Sequence, residues 1–173
     1  MSTSILTARS TATPTTWARA GLLGGLAAGI VFAMFEMLMA LLLNGSGAVF
    51  MPLRMIGAIV LGSSALMPSS SLLTAGGAGL VIHMVLSMLY GVVVAGVLAL
   101  APSLSRTRVS TVVAASVAGF GLWILNFFIL AGLFGWSWFP DSQNVVVQFV
   151  AHTVMFGSVL GLVVDRLAFR GSR

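Results

Sequence analysis

Four long apolar stretches, about residues 20–43, 79–101, 111–134 and 145–164, leave this chain of 173 residues few choices of fold. A helix that crosses a bilayer needs about 20 consecutive apolar residues, and each stretch reaches that length. Hydrocarbon offers the backbone no water to bond, so segments of this kind fold as helices. Together they occupy about half the chain and leave no room for a separate soluble catalytic domain. Composition agrees: 6% of residues are charged, against roughly 25% in a soluble domain, and the mean hydropathy is +1.13. The sequence predicts an all-α integral membrane protein with four transmembrane helices in an up-down-up-down bundle. Residues 1–16, rich in Ser and Thr, read as a disordered cytoplasmic tail, and residues 17–173 as a single four-helix membrane domain. The first apolar stretch exceeds the about 7 to 15 residues of a signal-peptide core, so it is expected to stay as an anchor.

Charge placement predicts the orientation. The net charge of +5 comes from eight arginines, with no lysine. Arg9 and Arg19 precede the first span, Arg106 and Arg108 lie between the second and third, and Arg166, Arg170 and Arg173 follow the fourth. By the positive-inside rule both termini and the 2-3 loop are cytoplasmic, and Arg54 alone lies outside. Trp17, Trp136 and Trp138 sit where interfacial anchors belong. The expected location is the inner (plasma) membrane of a bacterial-type cell, with the lipid bilayer as the first partner. A homo-oligomer or a larger membrane complex is the natural further partner, and nucleic acid is not. No cysteine is present, which removes disulfides, thiolate metal sites and cysteine nucleophiles together.

The extracytoplasmic loop 44–78 is long enough to carry structure. Within it FMPLRMIGAIVLG is apolar but too short to span, and reads as a short interfacial or re-entrant helix with Pro52 in its first turn. In the 3-4 connection FPDSQN, Asp141 is the expected N-cap of the last span. Asp165 and Arg166 are expected to end that span at the cytoplasmic face.

The two halves of the chain resemble each other. AGIVFAMFEMLMALLLNG aligned with AGFGLWILNFFILAGLFG sets Gly29 over Gly119 and Glu36 over Asn126, and each half continues into a span with one histidine, His83 or His152. Such an internal repeat would consist of two parallel helical hairpins. In an up-down-up-down bundle Glu36 would then face Asn126, and His83 would face His152. At 1.5 Å per residue all four lie roughly 6 to 12 Å inside the outer ends of their spans, in one layer. Ladders at four-residue spacing, the small residues Gly21, Gly25, Gly29 and Ala33 on span 1 and the similar set Gly79, His83, Ser87, Gly91 and Ala95 on span 2, mark the packing faces that carry them inward. Gln148 lies one turn from His152, and Tyr90 is a mid-membrane packing residue with a hydrogen-bonded tip.

A lone carboxylate in hydrocarbon takes a proton unless a cation or strong donors stabilise it. Four readings follow. Glu36, His83, His152 and Asn126 could hold a metal ion, Zn, Fe or Mn by ligand hardness, or Cu if the surrounding methionines take part, although methionine is also an ordinary core filler. His83 and His152 could be axial ligands of haem b, with Arg54 meeting a propionate. The layer could be the proton relay of a small proton-coupled transporter. Finally, the four could be hydrogen-bonded glue in a non-catalytic structural or scaffold subunit of a membrane complex. The metal- or haem-binding site in the outer-leaflet half of the bundle is the leading expectation. The usual hydrolase and nucleotide-binding motifs, HExxH, GxSxG and the Walker A loop, are absent, so no catalytic residue is assigned.

Overall fold

The computed structural model describes residues 12–141 and 144–169. Among these residues the chain is helical, without a strand. Four helices are long and apolar enough to cross a membrane: Pro14–Asn44 (α1), Leu72–Leu100 (α3), Arg108–Phe134 (α4) and Val145–Ala168 (α5). A shorter one, Met51–Leu61 (α2), stands between α1 and α3. The protein is therefore a multi-pass membrane protein. Residues 1–11 of the expected tail, with Arg9, lie outside the described residues, as do Arg170 and Arg173.

Each long helix starts on a side-chain cap that takes up one of its free N–H groups. Thr13 accepts from the Thr16 N–H at α1, Ser71 from Thr74 at α3, and Thr107 forms a reciprocal box with Ser110 at α4. At α5 the cap is Asn144, whose Oδ1 accepts from the N–H groups of Val146 and Val147 at 3.0 and 3.1 Å. The expectation that Asp141 would cap this helix is corrected. The backbone around Asp141 instead closes a separate helical turn, Trp138–Asp141, and the helix proper begins four residues later.

Small residues decide which helices meet. A side chain added at Gly21 or Gly25 would strike the backbone of Gly91, Ser87 or Met88, so α1 and α3 pack antiparallel in near backbone contact along the two small-residue faces. Gly119, Gly157 and Gly161 bring α4 and α5 together in the same way, through His152, Ser116 and Val112, and Ser116 and Ser158 share a hydrogen bond of 2.9 Å. The two pairs join where α1 lies against α5: Trp17 meets Phe169 edge-on at 5.4 Å, and Leu160 and Val164 pack over Gly24. By contrast α3 and α4, although joined by a short turn, meet over little of their length.

Two features were not anticipated. Asp165, expected to end the last span at the cytoplasmic face, lies near that helix end but is only 1% exposed. Its face of α5, with Leu160, Gly161, Val164 and Ala168, is the one packed between α1 and α4. Helix α2 packs against α3 with Gly57 and Gly79 against each other's backbones. On its other side Trp138 donates its indole N–H to the Met55 carbonyl at 3.1 Å. Met55, Phe127, Ala131 and Phe139 form a cluster there, which ties the 3-4 connection down onto α2.

Candidate functional site

The polar residues singled out in the sequence line one cavity. It has a volume of about 290 Å³ and lies among all five helices, with Glu36 on α1, His83 and Tyr90 on α3, Asn126 on α4, and Gln148 and His152 on α5. Apart from Ser87 on α3, the rest of its wall is largely apolar and strongly aromatic, and Pro52, Leu53, Ile56 and Ile59 of α2 contribute to it. The wall reaches Leu86 and Leu122 on α3 and α4, the two helices that are poorly packed together.

Each polar residue has its own partner. Glu36 is 5% exposed, and its Oε2 accepts from Gln148 Nε2 at 2.8 Å. Its other oxygen, Oε1, is buried and has no hydrogen bond. The remaining buried side-chain atoms without a partner among the described residues are Trp123 Nε1 and Thr153 Oγ1. Asn126 Oδ1 accepts from the Tyr90 hydroxyl at 2.8 Å, a bridge from α3 to α4 where the two helices otherwise separate. His83 Nε2 lies 2.9 Å from the Gly29 carbonyl, and His152 Nδ1 lies 2.9 Å from the Gln148 carbonyl. A carbonyl oxygen can only accept, so both of these ring nitrogens carry hydrogen. In the neutral rings, His83 Nδ1 and His152 Nε2 are then the lone-pair nitrogens.

The anticipated facing pairs, Glu36 with Asn126 and His83 with His152, are not bonded pairs in this arrangement. Phe32 packs on both imidazoles, with ring centroids 5.2 Å from His83 and 4.8 Å from His152. Among the described residues no three His, Asp or Glu side chains gather as metal ligands. Arg54 is not part of the cavity wall. Its guanidinium donates to the carbonyls of Ala65, Met67 and Ser70 at 3.1, 3.1 and 2.9 Å, and so braces the loop between α2 and α3.

Two π-helical stretches shape the site. Leu125–Leu130 of α4 contains Asn126, and Ala151–Ser158 of α5 contains His152. A π-turn inserts one extra residue and re-aims the side chains around it, and such bulges recur at functional sites. The sequence carries no readable signal for them.

A second cavity of about 360 Å³ lies beside the first, walled by Asn44 and Met39 of α1, Met51 and Met55 of α2, and Asn144 ahead of α5. Glu36 and Pro52 line both cavities. Comparison with known proteins brings no relative: no family model, curated protein or solved structure matches the chain.

Proposed function

We propose that this protein is a membrane receptor for a small lipid-soluble molecule with a hydrogen-bonding head, which it takes up from the bilayer between α3 and α4. The observation that carries this reading is the cavity of about 290 Å³, apolar over most of its wall, into which α1, α3, α4 and α5 each contribute a polar side chain. That combination is the ordinary make-up of a small-molecule site. The unbonded Glu36 Oε1 supports it, because a buried acceptor without a donor is costly and a ligand head would supply one. The metal and haem readings gain no such support. Their residues are bonded to Gln148, Tyr90 and two backbone carbonyls, Phe32 packs on both imidazoles, and Arg54 is held by its loop. The receptor reading is tested with tritiated 4-phenylbutanol and protein in phosphatidylcholine nanodiscs, with empty discs subtracted. Saturable binding is expected in the wild type, and its loss in Leu122→Trp, which fills the cavity beside the α3–α4 groove. Wild-type discs that bind no more than empty ones would defeat the reading.

A second reading, a small transporter, draws on a different observation. Glu36 and Pro52 stand on the walls of both cavities, so one carboxylate is within reach from the membrane interior and from the second cavity.

The same proposal takes the bundle as up-down-up-down, with both termini at the cytoplasmic face of the inner (plasma) membrane and α2 as an interfacial or re-entrant element. Arg19, Arg106, Arg108 and Arg166 cluster at one end of the bundle, because the start of α1 packs beside the ends of α3 and α5. Arg54 belongs to the opposite end, and this asymmetry supports the orientation. An origin in two repeated hairpins rests on the sequence correspondence of Gly29 with Gly119 and of Glu36 with Asn126. Because the chain has no cysteine, single introduced ones report the orientation cleanly. A cysteine at Ser46 is expected to react with an impermeant maleimide on intact cells, and one at Ser103 to react only after lysis. The reverse pattern would invert the topology.

A further inference from the structure

We infer that the molecule bound in this cavity is an organic monocation, a protonated amine on an apolar, one-ring body, whose ammonium group meets the Glu36 carboxylate. The inference rests on the receptor reading and goes on to name the chemical class.

Hydrogen-bonding capacity comes first. Several acceptors are left over at the polar end. Glu36 Oε1 is unbonded, the hydrogen-free nitrogens of His83 and His152 are acceptors in the neutral rings, and the Tyr90 oxygen has already donated its hydrogen to Asn126. Four donors are already in use: Gln148 Nε2 on Glu36, the two ring N–H groups on carbonyls, and the Tyr90 hydroxyl on Asn126. A carboxylate head would meet the Glu36 carboxylate, a like charge, on a wall with no arginine. An ammonium, with three N–H donors and no acceptor, complements the site.

Charge leads to the same class. Glu36 is the one carboxylate on the wall, no arginine lines it, and the chain has no lysine. One buried negative charge is balanced by one positive charge. Ca²⁺ or Mg²⁺ is ordinarily held by more than one carboxylate or by several waters, and among the described residues no three His, Asp or Glu side chains gather for a transition metal.

The wall itself suits a soft cation. Phe32, Tyr90, Phe127, Trp136 and Phe139 line the cavity, and their ring faces attract a positive charge, more strongly where water is excluded. The volume, about 290 Å³, is at the lower end of the range for small-molecule sites, which limits the body to about one ring and a short chain. The α3–α4 groove admits the apolar body from the lipid, while the second cavity leads to the same carboxylate.

The test uses the full chain in nanodiscs of zwitterionic phosphatidylcholine, so that lipid charge does not attract the probe. Tritiated 4-phenylbutylamine, protonated at pH 7, is compared with 4-phenylbutanol, which has the same body and a neutral head, each corrected for empty discs. The amine is expected to bind at least about tenfold more tightly than the alcohol, a difference of about 1.4 kcal/mol. Glu36→Gln should erase that preference while alcohol binding persists, which also shows that the variant is folded. Glu36→Asp should retain a preference for the amine. Equal affinities in the wild type would overturn the cation inference and leave the receptor reading standing. A preference that survives Glu36→Gln would overturn Glu36 as its origin. Saturable binding of neither probe would overturn both readings together.

Discussion

Replacing Gln148 with leucine is expected to destabilise the purified protein by about 3 kcal/mol, read as a lowered midpoint of thermal unfolding in detergent. Gln148 Nε2 is the donor that holds Glu36, at 2.8 Å, and the other carboxylate oxygen is already unbonded. The leucine variant therefore leaves a buried carboxyl group with neither oxygen bonded, a penalty larger than the net value of an ordinary hydrogen bond. The pair also crosses from α1 to α5, the contact that joins the two helix pairs, so the loss falls on the bundle as a whole. The decisive comparison is the double variant Glu36→Leu with Gln148→Leu. Removing both partners takes away the stranded carboxyl group itself, and most of the lost stability should return. The same double variant should lose the preference for a cationic probe. Stability and ligand choice would then separate: the pair's bond is structural, and the free oxygen is functional. Equal melting of the wild type and Gln148→Leu would show that the carboxyl group finds another donor and that the site is not built as described.

The four spans were legible because length and lack of charge are enough to define them. The helices extend beyond the predicted bounds mainly at their starts, where polar caps at Thr13, Ser71 and Thr107 lie outside the apolar stretches. Glu36, His83, Asn126 and His152 were legible as a group for a related reason, since polar side chains are rare enough in such helices to stand out, and all four line one cavity. Their partners were not legible. In water, a buried face differs from an exposed one by its apolarity, but in lipid both are apolar and hydropathy no longer tells which way a residue turns. Exposed Leu42, Val93 and Leu133 are as hydrophobic as buried Leu98 and Leu160. Glycine spacing partly makes up for this loss, and the α1–α3 contact follows it closely. It does not predict that α5 would lie against α1 and bring Gln148 to Glu36, or that α3 and α4 would stand apart. The π-turns at Asn126 and His152 shift the register within single helices, and no residue pattern announces them.

The gap between α3 and α4 leads to the last prediction, that Tyr90→Phe speeds ligand exchange by up to about tenfold. The two helices are joined by a short turn yet meet over little of their length, and the Tyr90 hydroxyl bridges to Asn126 at 2.8 Å across the cavity wall. A hydrogen bond of this kind contributes about 0.5–1.5 kcal/mol, which sets the upper limit on the change in rate. Phenylalanine keeps the ring on the wall and removes the hydroxyl that makes the bridge, so the cavity and its aromatic surface persist, and Asn126→Leu separates loss of the bridge from loss of the Tyr90 oxygen. Dissociation of bound 4-phenylbutylamine, followed after dilution into unlabelled probe, should be faster than in the wild type. Asn126→Leu should have the same effect, and the double variant should add little, because either change alone already breaks the bridge. The opening can be observed directly. Val93 and Val117 are 62% and 64% exposed on α3 and α4, and cysteines placed there are the only ones in the chain. Spin labels at the two sites should give a broader and longer distance distribution in Tyr90→Phe than in the wild type. Broadening without faster exchange would mean that the ligand does not pass between α3 and α4. Its remaining route to Glu36 would then be the second cavity, past Pro52, a path that Tyr90 does not guard.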